Sequence, residues 1–204
     1  MQKPIVFFID DDEDFLLECS LLMETNGYRV RIFTSGPQFL NTYKHGDRGC
    51  AVIDARMPEM SGMELQAEMS ARRIDIPIIF LTGYADVDMA VQAMKGGAVE
   101  FLQKPVNESR LIKAITKAVT LDSDIAISKT EVNLIQTRME SLTNKERQVL
   151  VLLATGLQNN EIASHLNRSE KTIELHITKI LRKMDARNRT EIVRMITRVA
   201  SDTT

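Results

Sequence analysis

Nowhere does this sequence hold an apolar run near the roughly 18 residues that a membrane-crossing helix needs, and no membrane partner is expected. Its two cysteines, Cys19 and Cys50, have no companions at ligand spacing, which excludes a disulfide framework and a zinc site. Cys19 falls in a helical pattern and Cys50 opens an apolar strand, so both read as small buried hydrophobes. The opening "MQKPIVFFIDDD" reaches acid too soon for a signal peptide, and a cytoplasmic protein is expected. Proline and glycine are absent from 107 to 142, which excludes a floppy linker there. A strong excess of one charge is missing too, since the net charge is −2. With 44% hydrophobic and 26% charged residues, the composition is that of a globular protein.

The balance hides an asymmetry. Residues 141–204 hold 11 Lys+Arg against 7 Asp+Glu, or +4, which leaves −6 for residues 1–140. An acidic front and a basic tail suggest two domains with different partners, the basic one suited to nucleic acid.

The front alternates regularly. Short apolar runs, "PIVFFI" (4–9), "YRVRIF" (28–33), "CAVID" (50–54), "PIIFLT" (77–82) and "AVEFL" (98–102), are separated by segments of helical spacing. In the first helix, Asp12 is the cap, Glu13 and Asp14 suit the positive dipole end, and Phe15, Leu16, Cys19, Leu22 and Met23 form the apolar stripe. Asn26-Gly27 gives the stop. Five such repeats predict an α/β doubly wound, five-stranded parallel sheet with helices on both faces. A helix from 107 is expected to run on toward 142. Ile125, Val132 and Met139 lie seven apart, with Ile135 and Leu142 beside them, which suits either a partner-facing seam or a helix packed on its own domain. From Leu142, "TNKE" is a capping box, Gly156 a break, "NNEIASHL" a short helix, "NRS" a turn and "EKTIELHITKILRKM" a longer helix capped by Ser169. "NRTE" opens a last helix.

"FFIDDDEDF" (7–15) poses the chemical question, because five consecutive acids repel one another. Ligands of a parallel sheet gather at the carboxyl ends of its strands. Asp10 and Asp11 follow the first strand, Asp54 ends the third, Thr82 ends the fourth and Lys104 follows the fifth. If strands one and three are neighbours, about 4.8 Å apart, three carboxylates converge, and a hard divalent cation resolves their repulsion. Asp12, Glu13 and Asp14 are more simply a helix start. Met57-Pro58 and Gly62 are read as loop geometry, with proline fixing a turn and glycine relaxing it.

"IDDD" (9–12), "DARMPEMSG" (54–62), "FLTG" (80–83) and "FLQKP" (101–105) resemble, in order and spacing, the receiver domain of two-component response regulators over residues 4 to about 120. The resemblance implies a flavodoxin-like strand order of 2-1-3-4-5. It implies Asp54 as phosphoacceptor, loaded by a sensor histidine kinase or a small phosphodonor. Mg²⁺ (or Mn²⁺) would be held by Asp10, Asp11, Asp54 and the Arg56 backbone carbonyl, with Asp10 acting through water. Lys104 and Thr82 would meet phosphoryl oxygens, and Phe101 would be the switching aromatic that turns inward. Lys104-Pro105 would be cis, and Arg56 and Tyr84 would tune phosphoryl lifetime.

In the tail, Ile173, Ile177, Ile180, Leu181 and Met184 form one stripe of the longer helix. Lys171, Thr172, Glu174, Leu175, Thr178, Lys179, Arg182 and Lys183 are left outside. A short helix, a turn and such a helix have the layout of a helix-turn-helix in an all-α domain. Residues 142–193, with "ERQVL", "GLQNNEIA", "KTIELH" and "KILRKM", resemble the LuxR-type DNA-binding domain, and the whole chain a NarL/FixJ-type regulator of the FixJ branch. That resemblance implies double-stranded DNA as partner, with Glu174, Leu175 and Thr178 at base edges and Lys171, Lys179, Arg182 and Lys183 mainly at phosphates. His176 is read as a backbone contact or as helix packing. Ile192, Val193 and Ile196 are read as a homodimer contact or as core, and RNA polymerase is a further candidate partner. The expected organisation is a receiver at 1–120, a helical linker at 121–141 and a DNA-binding domain at 142–204. The function implied is phosphorylation-controlled transcription, not an enzyme. Its rivals are a constitutive DNA-binding protein with a vestigial receiver and a Mg²⁺-dependent phosphohydrolase.

Overall fold

The computed structural model describes residues 3–84 and 86–202. Five short strands, β1 (Ile5–Ile9), β2 (Arg29–Phe33), β3 (Gly49–Ile53), β4 (Ile78–Thr82) and β5 (Glu100–Gln103), form one parallel sheet in the order β2-β1-β3-β4-β5. Between them run α1 (Glu13–Thr25), α2 (Gly36–Thr42), α3 (Gly62–Ala71) and α4 (Val87–Lys95). Then follow α5 (Glu108–Glu140), α6 (Asn144–Ala154), α7 (Asn159–Leu166), α8 (Glu170–Met184) and α9 (Arg189–Asp202).

β1, β3 and β4 are buried throughout, as continuous apolar runs in a sheet covered on both faces must be. Alternate residues divide between two cores. Phe7, Ile9, Ala51, Ile53 and Phe80 face one, and Val6, Phe8, Cys50, Val52, Ile79 and Leu81 the other. Both cysteines are buried thiols within the second core. In the first core Phe7, Phe33, Phe39 and Tyr43 pack ring against ring, Phe33 meeting Phe39 edge-on at 5.4 Å.

Helix ends follow the sequence chemistry. Asp12 caps α1 by accepting from Phe15 N, and Asn26 ends it ahead of Gly27 at φ +85°. Ser61 and Glu64 make a capping box on α3, and Thr143 and Glu146 another on α6.

The chain divides into two compact units after Ile125. Helix α5 passes that point and the 120/121 boundary expected from the sequence without a break, as one helix of 33 residues. Within the first unit, Asp122 on α5 is buried and bound to the start of β3. Its Oδ2 accepts from Arg48 Nε and from Gly49 N, each at 2.9 Å, and Arg48 Nη2 donates to its carbonyl. The second unit is all-α with its own core of Leu150, Leu153, Ile162, Ile173, Ile180, Met184 and Ile192. Ile135 and Leu142 are buried in that core and Met139 packs against it, so this part of the seven-residue seam is covered by its own unit. Among the described residues, no helix is long and apolar enough to cross a membrane.

Candidate functional site

β1 and β3 are neighbours in register, with Ile9 beside Ile53, so the next residue of each strand, Asp10 and Asp54, emerges at the same end of the sheet. The turn after β1 adds Asp11, and ligand oxygens of Asp10, Asp11 and Asp54 lie within 4.8 Å of one another. Asp10 is buried, Asp54 half-buried and Asp11 exposed. Asp10 Oδ1 accepts from Asp12 N at 3.1 Å, and Asp54 Oδ1 from Arg56 N at 3.1 Å.

Lys104, beyond β5, spans the cluster. Its Nζ lies 2.6 Å from Asp10 Oδ2 and 3.4 Å from Asp54 Oδ2. The Lys104-Pro105 peptide is cis, and Lys104 N donates to Thr82 O at 2.8 Å. Burial pushes the Asp10 carboxyl above its usual range, and the Lys104 ammonium and Asp12 N–H offset this only in part. Burial works against charge on Lys104 as well, but its hydrogen bond to Asp10 and the charges of Asp10 and Asp54 prevail and hold it above its usual value. Thr82 is buried, and its Oγ1 accepts from Tyr84 N at 3.3 Å. The Arg56 guanidinium stacks 4.8 Å from the centre of the Tyr84 ring, joining the two rim positions across the mouth. Phe101 is half-buried against Phe80, ring centres 6.1 Å apart.

The donor set is all carboxylate oxygen, partly buried, with one cation already among three acids. That chemistry fits a small hard cation such as Mg²⁺ and not a soft metal. Two residues here carried no functional reading in the sequence. Gly62, taken as a flexible loop glycine, opens α3 instead. A Cβ there would lie 2.3 Å from Asp54 O, so its role is to let α3 press on the strand end that carries Asp54. Phe15, read only as part of the apolar stripe of α1, has its ring centre 4.0 Å from Lys104 Nζ. No pattern within one helix reveals that contact, since its partner lies 89 residues on.

In the second unit, α7 ends at Asn167 in the left-handed region (φ +51°), and Ser169 caps α8 by accepting from Thr172 N. Ile173, Ile180 and Met184 are buried, with Ile177 and Leu181 packed beside them, so the stripe faces the core. Lys171, Glu174, Leu175, Thr178, Lys179 and Arg182 are exposed, Leu175 by 58% despite its apolar side chain. Thr172 is half-buried, with its hydroxyl 2.8 Å from Ser169 Oγ. Thr178 Oγ1 donates back to Glu174 O at 2.9 Å. Lys183 departs from expectation. Its ammonium turns inward, donating to Glu146 Oε2 at 2.7 Å and to Ser141 O at 3.0 Å, so it is not part of the outer face. Glu146 is buried, and the Lys183 hydrogen bond, followed by that from Thr143 N, holds its carboxyl down to about 2. Arg138 supports the same helix end, donating to Met184 O at 3.0 Å and Asp185 Oδ2 at 2.7 Å. His176 is half-buried with Nδ1 unpartnered, Ile192 is core, and Val193 and Ile196 pack against it. Arg168, in the turn before α8, is exposed and adds a charge that the sequence reading left out.

Residues 6–116 match the response regulator receiver domain, and residues 140–196 match the bacterial regulatory proteins of the luxR family. The transcriptional regulatory protein FixJ of Rhizobium meliloti (strain 1021) is 37% identical over 96% of each chain. The response regulator protein TodT of Pseudomonas putida is 36% identical over 97% of this chain and 87% of its own. Among solved structures, the response regulator StyR is similar at 36% identity and a TM-score of 0.83, covering 96% of this chain and 99% of that one. Full-length FixJ from B. japonicum is similar at 36% identity and a TM-score of 0.60, covering 98% and 99%.

Proposed function

The chain belongs to the response regulators that join a receiver domain to a LuxR-type DNA-binding domain, transcription regulators under phosphorylation control, and from that membership we propose that Asp54 is the phosphoacceptor and α8 the helix that reads DNA. The observation that carries the first part is the convergence of Asp10, Asp11, Asp54 and Lys104 at one end of the sheet.

In the reaction proposed, an Asp54 carboxylate oxygen attacks the phosphorus of a kinase phosphohistidine. The new O–P bond gives an acyl phosphate, the P–N bond breaks, and its electron pair returns to the leaving imidazole. Asp10, Asp11, Asp54 and the Arg56 carbonyl would hold Mg²⁺, which supplies charge neutralisation at the incoming phosphoryl oxygens. Lys104 exchanges its Asp10 partner for a phosphoryl oxygen, as a compact ammonium with three donors can. The Thr82 hydroxyl donates to another, and Phe101 turns inward behind it.

On DNA, Glu174 accepts from a cytosine N4 and Leu175 meets a thymine methyl, each good contact giving roughly 1–3 kcal/mol of discrimination. Lys171, Lys179 and Arg182 meet phosphates. Phosphorylation promotes homodimerisation and so raises operator affinity, and RNA polymerase is a further partner at the promoter.

The first experiment is intact mass after incubation with acetyl phosphate and Mg²⁺, for wild type and Asp54→Asn. One phosphoryl adduct, dependent on Mg²⁺ and absent from the variant, is expected. An adduct that survives Asp54→Asn would move the acceptor elsewhere. Binding to DNA selected from a random pool should then tighten on phosphorylation in wild type alone.

A further inference from the structure

We propose that Phe15 is a positioning residue for Lys104, holding its ammonium at the acidic site through the face of the aromatic ring. This rests on the reading of Asp54 as phosphoacceptor. Phe15 lies in the first turn of α1, and its own N–H is fixed by the Asp12 cap at 3.0 Å, so the turn that delivers Asp10 and Asp11 also sets the ring. The ring is half-buried and packs against the second core of the sheet.

Three partners then surround Lys104 Nζ: Asp10 Oδ2 at 2.6 Å, Asp54 Oδ2 at 3.4 Å and the Phe15 ring centre at 4.0 Å. An ammonium has three N–H donors, and two carboxylates and a ring face lie within reach of them. The Lys104 side chain is only 19% exposed, so the ring's attraction acts with little competing water.

The three partners differ in one respect that matters for phosphoryl transfer. Conversion of Asp54 to an acyl phosphate removes a carboxylate, and a bound cation competes with Lys104 for Asp10. The ring quadrupole changes with neither event. Phe15 is thus the partner that stays constant while the ammonium passes from carboxylate to phosphoryl oxygen. Without it, the four-carbon stem of Lys104 regains rotamer freedom, and the ammonium pairs with Asp10 alone.

The test compares Phe15→Leu and Phe15→Met, which keep apolar bulk, with Phe15→Tyr and Phe15→Trp, which keep a π face. Each full-length variant is checked for thermal unfolding and for Mg²⁺ affinity by titration calorimetry. The rate of phosphorylation by acetyl phosphate at saturating Mg²⁺ is then read by intact mass. Leu and Met are expected to slow it by roughly three- to tenfold, Tyr and Trp to stay within about twofold of wild type, and Mg²⁺ affinity to stay within about twofold throughout. Wild-type rates in Leu and Met, an equal loss in Tyr and Trp, or a parallel loss of Mg²⁺ affinity would each overturn the assignment. A wild type that takes no phosphoryl group on Asp54 would overturn the proposed function and this inference together. Labelled wild type with unaffected Leu and Met variants would overturn the inference alone.

Discussion

The tightest steric constraint at the acidic site falls on Gly62, which has no side chain and no unusual backbone angle. A methyl group there would meet Asp54 O at 2.3 Å and Phe80 Cε1 at 2.9 Å. Neither a backbone carbonyl nor a fully buried ring gives way easily, and overpacking of this kind costs about 1–3 kcal/mol. Gly62→Ala is therefore expected to lower the melting temperature and to slow acetyl-phosphate labelling of Asp54 several-fold. A variant that melts and labels like wild type would show that α3 does not need to press on that strand end. The sequence indicates a glycine after Pro58 but not which property of glycine is used. A turn needs its backbone freedom and a close approach needs its missing volume, and only the neighbouring chain distinguishes the two. Asp10, Asp11, Asp54 and Lys104 are legible for the opposite reason. Each closes or follows an apolar run, and a parallel sheet gathers such ends whatever the packing details.

Helix α8 shows where periodicity stops being informative. A repeat of 3.6 residues places Ile173, Ile180 and Met184 inward and Lys179 and Arg182 outward, as found. Lys183 lies at the margin of the stripe, where angle alone does not decide, and the buried Glu146 on α6 draws it inward. Glu146 was legible as the glutamate of a capping box, but its second use, as the partner of Lys183, was not. The two neighbouring cations should accordingly behave differently. Arg182→Gln is expected to reduce the slope of log K against log salt for DNA binding by roughly 0.9, the share of one phosphate contact. Lys183→Gln should leave that slope unchanged and lower the melting temperature of the second unit. A reduced slope for Lys183→Gln would return that residue to the DNA face. The same pair predicts a pH dependence. The folded Glu146 carboxyl sits at about 2, below its ordinary 4.5, so its contribution to stability is complete above about 4.5 and is lost as pH falls toward 2. Acid titration of wild type and Glu146→Gln, followed by the circular dichroism of α6–α9, should show the two converging across that window. Curves that stay parallel from pH 5 to 2 would remove Glu146 as the cause.

At the scale of the molecule, two units are stabilised by different long-range ties, and neither tie is visible in the pattern of either element it joins. Asp122 reaches back 74 residues along the chain to Arg48, and Glu146 reaches forward 37 to Lys183. The first tie belongs to the unit ending at Ile125 and the second to the unit beginning at Ala126. The charge asymmetry of the sequence indicated two such bodies, because an acidic α/β half and a basic helical half have no reason to share a core. The helical pattern from 107 toward 142, free of proline and glycine, indicated the unbroken helix α5 that runs from the one into the other. Each buried carboxylate satisfies backbone donors as well as a cation, Gly49 N for Asp122 and Thr143 N for Glu146. Removing the Asp122 carboxylate leaves the buried Gly49 N–H unmet, which costs about 1–3 kcal/mol, and removing that of Glu146 takes away the counter-charge of Lys183. Because the cores are separate, that cost should remain local. Hydrogen-exchange mass spectrometry on Asp122→Ala is expected to show faster exchange in β1 and β3 with α6 and α8 as protected as in wild type. Glu146→Ala is expected to give the reverse. Faster exchange in both units from either single substitution would mean that they unfold as one body.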